Sequence, residues 1–325
     1  MRLLPDSAKL LVPLLGACYV LAMVETPRSP RRRLVSQLRR LAPTPGLHQT
    51  PWPGLACFRA EQPTVPDPTL YTAALCVVGQ GAKEAVLGDQ TFRYDPLNYL
   101  VIGAAVPVRT RICEASSEHP FLSLVLRVDS ATVHDLMLEL DDATVGGSTT
   151  ETSAPMRLSA MDGRLLDAVV RFLEVTENPM DRKVLAPSAL REVLYRVLRG
   201  EQGHVLRQTV LRDGRSQRVT RALRYIQENL EERLDVPTIA HQAGMSVSSL
   251  HHDFKRATRM TPVQYLKQVR LLRARQLILD EGCQAAEAAL RVGYGSPSQF
   301  SREFKRYFGL PPRRYAESWG QGLGA

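Results

Sequence analysis

Apolar positions along this chain change period twice. Between residues 55 and 128 they fall in short runs, at 71–78, 85–87, 91–94, 99–102, 106–113 and 122–128, separated by turn residues such as Gly79-Gln80-Gly81 and Gly88-Asp89. Runs of this length, rich in Val, Leu, Ile and Tyr and cut by glycine, predict antiparallel strands joined by hairpins. Several at this spacing imply a barrel or jelly roll, a fold that often encloses a cavity. Further on the period becomes helical. Leu165, Leu166, Val169, Val170 and Leu173 form one stripe, and Leu190, Val193, Leu194, Val197 and Leu198 form another between Pro187 and the terminator Gly200. Both helices are expected to cover the β domain. The acidic, Gly/Ser/Thr-rich segment 141–153 predicts a loop, and the polar stretch 208–216 predicts a hinge.

Beyond that hinge the chain repeats itself. Leu250, Phe254, Lys255, Arg256, Pro262 and Tyr265 recur as Phe300, Phe304, Lys305, Arg306, Pro312 and Tyr315, each 50 residues later. In the first copy, residues 235–258, Asp235 is suited to cap a helix, Pro237 falls in its first turn, and Gly244 permits the turn that ends it. At 100° per residue, Val247, Leu250, Phe254 and Ala257 gather on one face of the next helix. Ser248, His251, His252, Lys255 and Arg259 gather on the other. The second copy, residues 285–308, carries one extra residue in its turn and places Phe300 and Phe304 inward, with Ser298, Ser301, Arg302, Lys305 and Arg306 mostly outward. Between the copies, Thr261-Pro262 opens and Glu281-Gly282 closes a long helix. Twenty helical residues span roughly 30 Å, close to the ~34 Å between major-groove faces one turn apart. The arrangement predicts two helix-turn-helix units reaching consecutive stretches of one duplex, with the long helix as their ruler.

Charge follows the same division. The net +9 of this 325-residue chain is concentrated after residue 214, where 18 Lys and Arg stand against 10 Asp and Glu; residues 1–214 carry 24 against 23. A near-neutral front and a basic back suit a regulatory module joined to one that binds a polyanion. Five cysteines, Cys18, Cys57, Cys76, Cys113 and Cys283, are odd in number and show no C-x-x-C spacing. They indicate neither a disulfide framework nor a zinc knuckle and fit a reducing cytoplasm. His48, His119 and His134 are too scattered for a metal-dependent enzyme of the barrel type, so no metal, cofactor or catalytic residue is expected. Cys76, in the strand 75–78, is a weak candidate for an effector-sensing thiol and is more simply a small buried residue.

The first residues are of another kind. Residues 10–24 are apolar, too short to span a bilayer and interrupted by Pro13, and Leu15-Gly16-Ala17-Cys18 resembles a lipoprotein cleavage box. Asp6 weakens a positive leader, Met23 offers an alternative start, and export is incompatible with reading chromosomal DNA. Residues 1–32 are therefore expected to be a disordered or start-site extension with no membrane role, and 27–33 to be an exposed basic linker.

The two turns, the Phe-Lys-Arg after each second helix, and Gly309-Leu310-Pro311-Pro312-Arg313-Arg314-Tyr315 resemble the AraC/XylS family of bacterial transcription regulators over about 219–316. Residues 70–84, 87–100 and 114–120 resemble the cupin-like N-terminal domain of one subgroup, extending the resemblance to about 33–316. It implies an α+β chain: a cupin-like β-barrel or jelly roll with flanking helices over 33–207, a linker over 208–217, an all-α double helix-turn-helix domain over 218–317, and a tail over 318–325. It implies a non-enzymatic, cytoplasmic and nucleoid-associated regulator, more often an activator. Its partners would be double-stranded DNA, a small-molecule effector of unknown identity, RNA polymerase and a second copy of itself.

By the same resemblance Ser248, His251 and His252 in the first motif, and Ser298, Ser301 and Arg302 in the second, read bases. The two histidines depart from the longer polar or aromatic residues common in the family's first reading helix. Lys255, Arg256, Lys305 and Arg306 would hold phosphates. A DNA-repair methyltransferase can carry a similar helical half, but it requires a Pro-Cys-His or zinc setting that Cys283-Gln284-Ala285 does not offer.

Overall fold

The computed structural model describes residues 29–140, 155–207, 209 and 215–320. The loop expected at 141–153 lies outside these residues, as do most of the extension at 1–32, most of the hinge and the end of the tail. In chain order the elements of the front half are α1 (Pro30–Leu41), β1 (Gly46–Gln49), β2 (Leu55–Ala60), β3 (Asp67–Tyr71), β4 (Ala74–Gln80), β5 (Ala82–Leu87), β6 (Gln90–Tyr94), β7 (Asn98–Ile102), β8 (Val106–Glu114), β9 (Phe121–Arg127), α2 (Ser130–Glu139), β10 (Met156–Ala160), α3 (Gly163–Glu177), α4 (Pro179–Val184), α5 (Ala186–Arg199) and α6 (Gly203–Arg207). The back half is helical: α7 (Arg215–Glu228), α8 (Val236–Ala243), α9 (Val247–Thr258), α10 (Pro262–Asp280), α11 (Ala285–Arg291), α12 (Pro297–Phe308) and α13 (Pro312–Gly320).

The strands form two antiparallel sheets, one ordered β1-β2-β9-β4-β7-β10 and the other β3-β8-β5-β6. The larger sheet is covered on both faces. Along β4, Ala74, Cys76 and Val78 join the apolar interior shared with the smaller sheet, whereas Leu75 and Val77 face the layer built by α1, α3 and α5. Burial of both faces explains why residues 74–79 are buried without interruption, so that the sequence reads as one apolar run and not as an alternation.

Three expectations are corrected. The run 71–78 is not one strand: Tyr71 is the last residue of β3, which pairs with β8 in the small sheet, and the chain crosses at Thr72-Ala73 to β4 in the large one. Residues 30–33, expected as exposed linker, are the first turn of α1. Ser29 accepts from the amide of Arg32, Pro30 needs no amide there, and Leu34 and Leu38 bury one stripe against the large sheet while Arg33 pairs with Glu174 at 2.6 Å. In the large sheet β1, β2 and β10 lie outside the expected runs, and α2, α4 and α6 are further elements with no expectation.

Among the described residues no helix is long and apolar enough to cross a membrane, and no group of three or more His, Cys, Asp or Glu could hold a metal ion.

Candidate nucleic-acid interface

Each motif is built by caps. In the first, the Asp235 carboxylate accepts from the amide of Thr238 at 2.8 Å to start α8, and Gly244, at φ +67°, ends it. Ser246 then caps α9 by accepting from the amide of Ser249 at 3.1 Å. In the second, Gly293 turns at φ +79°, and Ser296 caps α12 through the amide of Gln299 at 3.3 Å. The added residue is absorbed in the turn, and α12 keeps the period of α9.

Leu250, Phe254, Phe300 and Phe304 are fully buried. Val247, expected among the inward residues, is 42% exposed because it stands in the first turn of α9, ahead of the packing against α7 and α8.

The opposite faces are open. Ser248, His251, His252 and Lys255 are exposed on α9, and Ser298, Arg302, Lys305 and Arg306 on α12; Ser301 is half-buried. Arg256 is half-buried, with Nη2 3.6 Å from Asp253 Oδ1, and His252 Nδ1 lies 3.1 Å from the same oxygen. Arg302, Lys305 and Arg306 enter no ion pair with another described residue. Unpaired cations on an exposed helix face retain their charge for an external polyanion.

Between the motifs, α10 runs for 19 residues, about 28 Å at 1.5 Å per residue. Its start is fixed reciprocally: Thr261 Oγ1 accepts from the amide of Gln264, and Gln264 Oε1 accepts from the amide of Thr261. Glu303, which sequence reasoning missed, ties α12 to this ruler. It accepts from Tyr294 Oη at 2.9 Å, Lys267 Nζ at 3.1 Å and Gln299 Nε2 at 3.2 Å. Burial raises the pKa of its carboxyl, and these three donors more than offset that, holding it below the usual carboxylate range.

The backs of both motifs rest on the small sheet, through the same repeated residue. Tyr265 donates to the carbonyl of Ala105 at 3.0 Å, at the start of β8, and Tyr315 lies 3.5 Å from Asp67 Oδ1 on β3. Asp67 also accepts from Arg275 Nη1 at 2.8 Å, and that guanidinium lies 5.3 Å from the centre of the Phe308 ring. Arg109 on β8 donates to the Tyr307 carbonyl at 3.2 Å. The sequence carried no signal for Asp67 or Arg275; the recurrence of tyrosine 50 residues apart was the only trace of this docking.

Asp67→Ala should lower stability in urea unfolding by about 1–2 kcal/mol. That is below the full cost of breaking a buried pair because Asp67 keeps 38% of its side chain exposed. An unchanged midpoint would show that the pair does not hold the domains together.

Cys76 lies inside the β domain, and burial pushes its thiol up to about 12, so it is protonated at neutral pH. Near it, the hydroxyls of Tyr71 and Tyr94 are 2.7 Å apart, and Lys83 Nζ lies 5.7 Å and 5.8 Å from the ring centres of Phe58 and Tyr71. This inward cation and the two phenols are polar groups in an otherwise apolar interior, and sequence reasoning missed them.

Comparison with known proteins divides the chain at the same place. Residues 51–205 match the family described as AraC-type transcriptional regulator N-terminus, and residues 239–318 match a helix-turn-helix domain family. The HTH-type transcriptional activator RhaS of Salmonella heidelberg (strain SL476) is 29% identical over 148 residues, 45% of this chain and 51% of the relative. RhaS of Citrobacter koseri is 29% identical over 151 residues, 46% of this chain and 53% of the relative. The chain thus spans about half the length of the curated relatives it matches. An apo point variant of ToxT from Vibrio cholerae superposes with a TM-score of 0.56 at 10% identity, covering 83% of this chain and 99% of that one. Wild-type ToxT of the same organism with a bound unsaturated fatty acid gives 0.54 at 11% identity, covering 81% and 94%. At these identities the likeness concerns the fold.

Proposed function

This chain belongs to the AraC/XylS family of bacterial transcription regulators, and from that membership we propose that it binds specific double-stranded DNA through both motifs and adjusts transcription in response to a small molecule held by the β domain. One observation carries the reading: two capped helices, repeated at 50 residues and joined by α10, expose cations that no described residue neutralises. In this proposal Ser248, His251 and His252 read bases in one groove segment, and Ser298, Ser301 and Arg302 read the next. Lys255, Arg256, Lys305 and Arg306 hold phosphates and set register. The effector is received inside the β domain, where Lys83, Tyr71 and Tyr94 supply polar contacts and Cys76 contributes a neutral wall.

The regulatory unit expected at 33–207 then begins with α1 at Pro30, and the reading unit expected at 218–317 runs from α7 at Arg215 through α13 at Gly320, so that 215–217 belong to a helix and not to the linker expected at 208–217. Activation follows the printed role of RhaS. It requires contact with RNA polymerase in the cytoplasm, at the nucleoid, and the helices α3 and α5 are the surface we assign to a homodimer.

Arg302 and Lys305 give the test, because a guanidinium can bond bidentately to guanine N7 and O6 whereas an ammonium on phosphate carries no sequence information. In binding titrations on a selected site, Arg302→Ala should lose about 1–3 kcal/mol of discrimination at one base position. Lys305→Ala should weaken every sequence alike and lower the salt slope by about one. Uniform weakening by Arg302→Ala would remove its base-reading role.

A further inference from the structure

Arg259 stands where its repeat partner is a glycine. Both Arg259 and Gly309 close a second helix in the left-handed region, at φ +60° and +87°, and both amides donate to a lysine carbonyl at 2.8 Å, Lys255 and Lys305 respectively. Glycine adopts that backbone freely, whereas a residue with a side chain is strained there, and Arg259 is the only non-glycine with positive φ among the described residues. What the strain accomplishes is visible at the β5–β6 turn. Gly88 lies so close that a Cβ on it would sit 2.8 Å from Arg259 Cβ, so the stem of the arginine packs on the turn, and Arg259 lines the space beside it.

That space is a shallow cleft of about 490 Å³, widely open to solvent and lined by Gly88, Asp89, His252, Lys255, Arg256 and Arg259. Three permanent cations and a histidine stand with the Asp89 carboxylate, and the buried Asp253 carboxylate lies against His252 and Arg256. Lys255 and Arg259 enter no ion pair with another described residue, and Arg256 reaches only Asp253, at 3.6 Å. An excess of positive charge gathered at one place favours a compact polyvalent anion, and the planar guanidinium suits phosphate oxygens. Asp89 cannot bind that anion, but it can accept from hydroxyls beside it.

We propose that this cleft binds a small phosphate monoester bearing neighbouring hydroxyls, with Arg259, Arg256 and Lys255 on the phosphate and Asp89 on the hydroxyls. DNA could supply phosphate too, but position favours the free ester. Arg259 lies eleven residues beyond Ser248, about 16 Å along the helix, whereas the major groove is about 12 Å wide. Occupancy engages Lys255 and Arg256, the cations assigned above to the DNA backbone, so ester and DNA oppose each other's binding to the same degree. The binding itself does not rest on the DNA reading and is measured without DNA.

Ribose 5-phosphate titrated calorimetrically into the full chain should bind saturably and more tightly than inorganic phosphate, with ribose alone inactive. Arg259→Gly should weaken it about tenfold or more without lowering the melting temperature, since glycine suits the left-handed backbone. Asp89→Ala should bring the ester down to the affinity of inorganic phosphate, and Arg302→Ala, in the other motif, should leave the affinity for the ester unchanged. Wild-type affinity in Arg259→Gly, or no saturable binding of the ester, would overturn the proposal. So would an Arg259→Gly protein that loses DNA affinity on all sequences while the ester binds neither form, because the phosphate would then be the duplex's own.

Discussion

Phe304→Ala should cost about 3–5 kcal/mol, among the largest losses available to a single substitution in this chain. Phe304 is fully buried at the centre of a ring cluster, with centroids 5.5 Å from Phe300, 4.4 Å from Phe308 and 5.7 Å from Tyr315. Truncation removes contacts on all three sides, and rings held by α12 and α13 cannot collapse into the space. The apolar cluster of the second motif is separate from the one that joins the first motif to the β domain, so the damage should stay local. Hydrogen exchange should therefore speed up in α12 and α13 while β4 and α9 keep their protection, and DNA protection should shrink to the first half of the site. A loss below about 1 kcal/mol in urea unfolding, or exchange rising equally throughout, would contradict this packing.

Gly293→Ala and Gly244→Ala should differ, although both glycines end a first helix with positive φ. At Gly244 an added Cβ meets only the end of the flexible Arg221 side chain, at 3.9 Å, so the cost is the left-handed backbone alone, about 1–2 kcal/mol. At Gly293 the same atom would stand 2.6 Å from the carbonyl oxygen of Leu230, which is backbone, and 2.6 Å from Arg270 Nη2. Arg270 in turn donates to the carbonyls of Leu230 and Glu232, so the clash reaches the hydrogen bonds that tie α10 to the end of α7. We expect roughly 3 kcal/mol or more for Gly293→Ala, combining strain with displaced hydrogen bonds. Equal melting temperatures for the two variants would show that the second turn is not packed as described.

How far the sequence could be read depended on whether an element's reason for existing is local. The ruler α10 was legible because Thr261, Pro262 and Gly282 mark its ends without reference to the rest of the fold. The reading helices were legible because the repeat set aside inward Phe300 and Phe304 from outward Arg302 and Lys305 twice over. Strand β1, whose residues are Gly-Leu-His-Gln, was not, since an edge strand with one covered face needs no apolar run. Nor was α1, in which a run of arginines conceals the two leucines that anchor it. The split of 71–78 was hidden because the residues of β4 are buried on both faces, leaving no alternation to mark where one sheet ends. The docking of the motifs was least accessible. Asp67 and Arg275 are 208 positions apart, and neither is unusual by itself. Only three-dimensional proximity gives them a joint role.

In the function proposed above, α10 holds two basic reading helices in step with the duplex. Hydroxyl-radical footprinting of the full chain on a site obtained by selection from random DNA tests it most directly. Two protected segments are expected about 10–10.5 base pairs apart, centre to centre, on one face of the helix, with Arg302→Ala relaxing sequence preference in only one of them. A single protected segment, or two whose separation bears no relation to the helical turn, would contradict it.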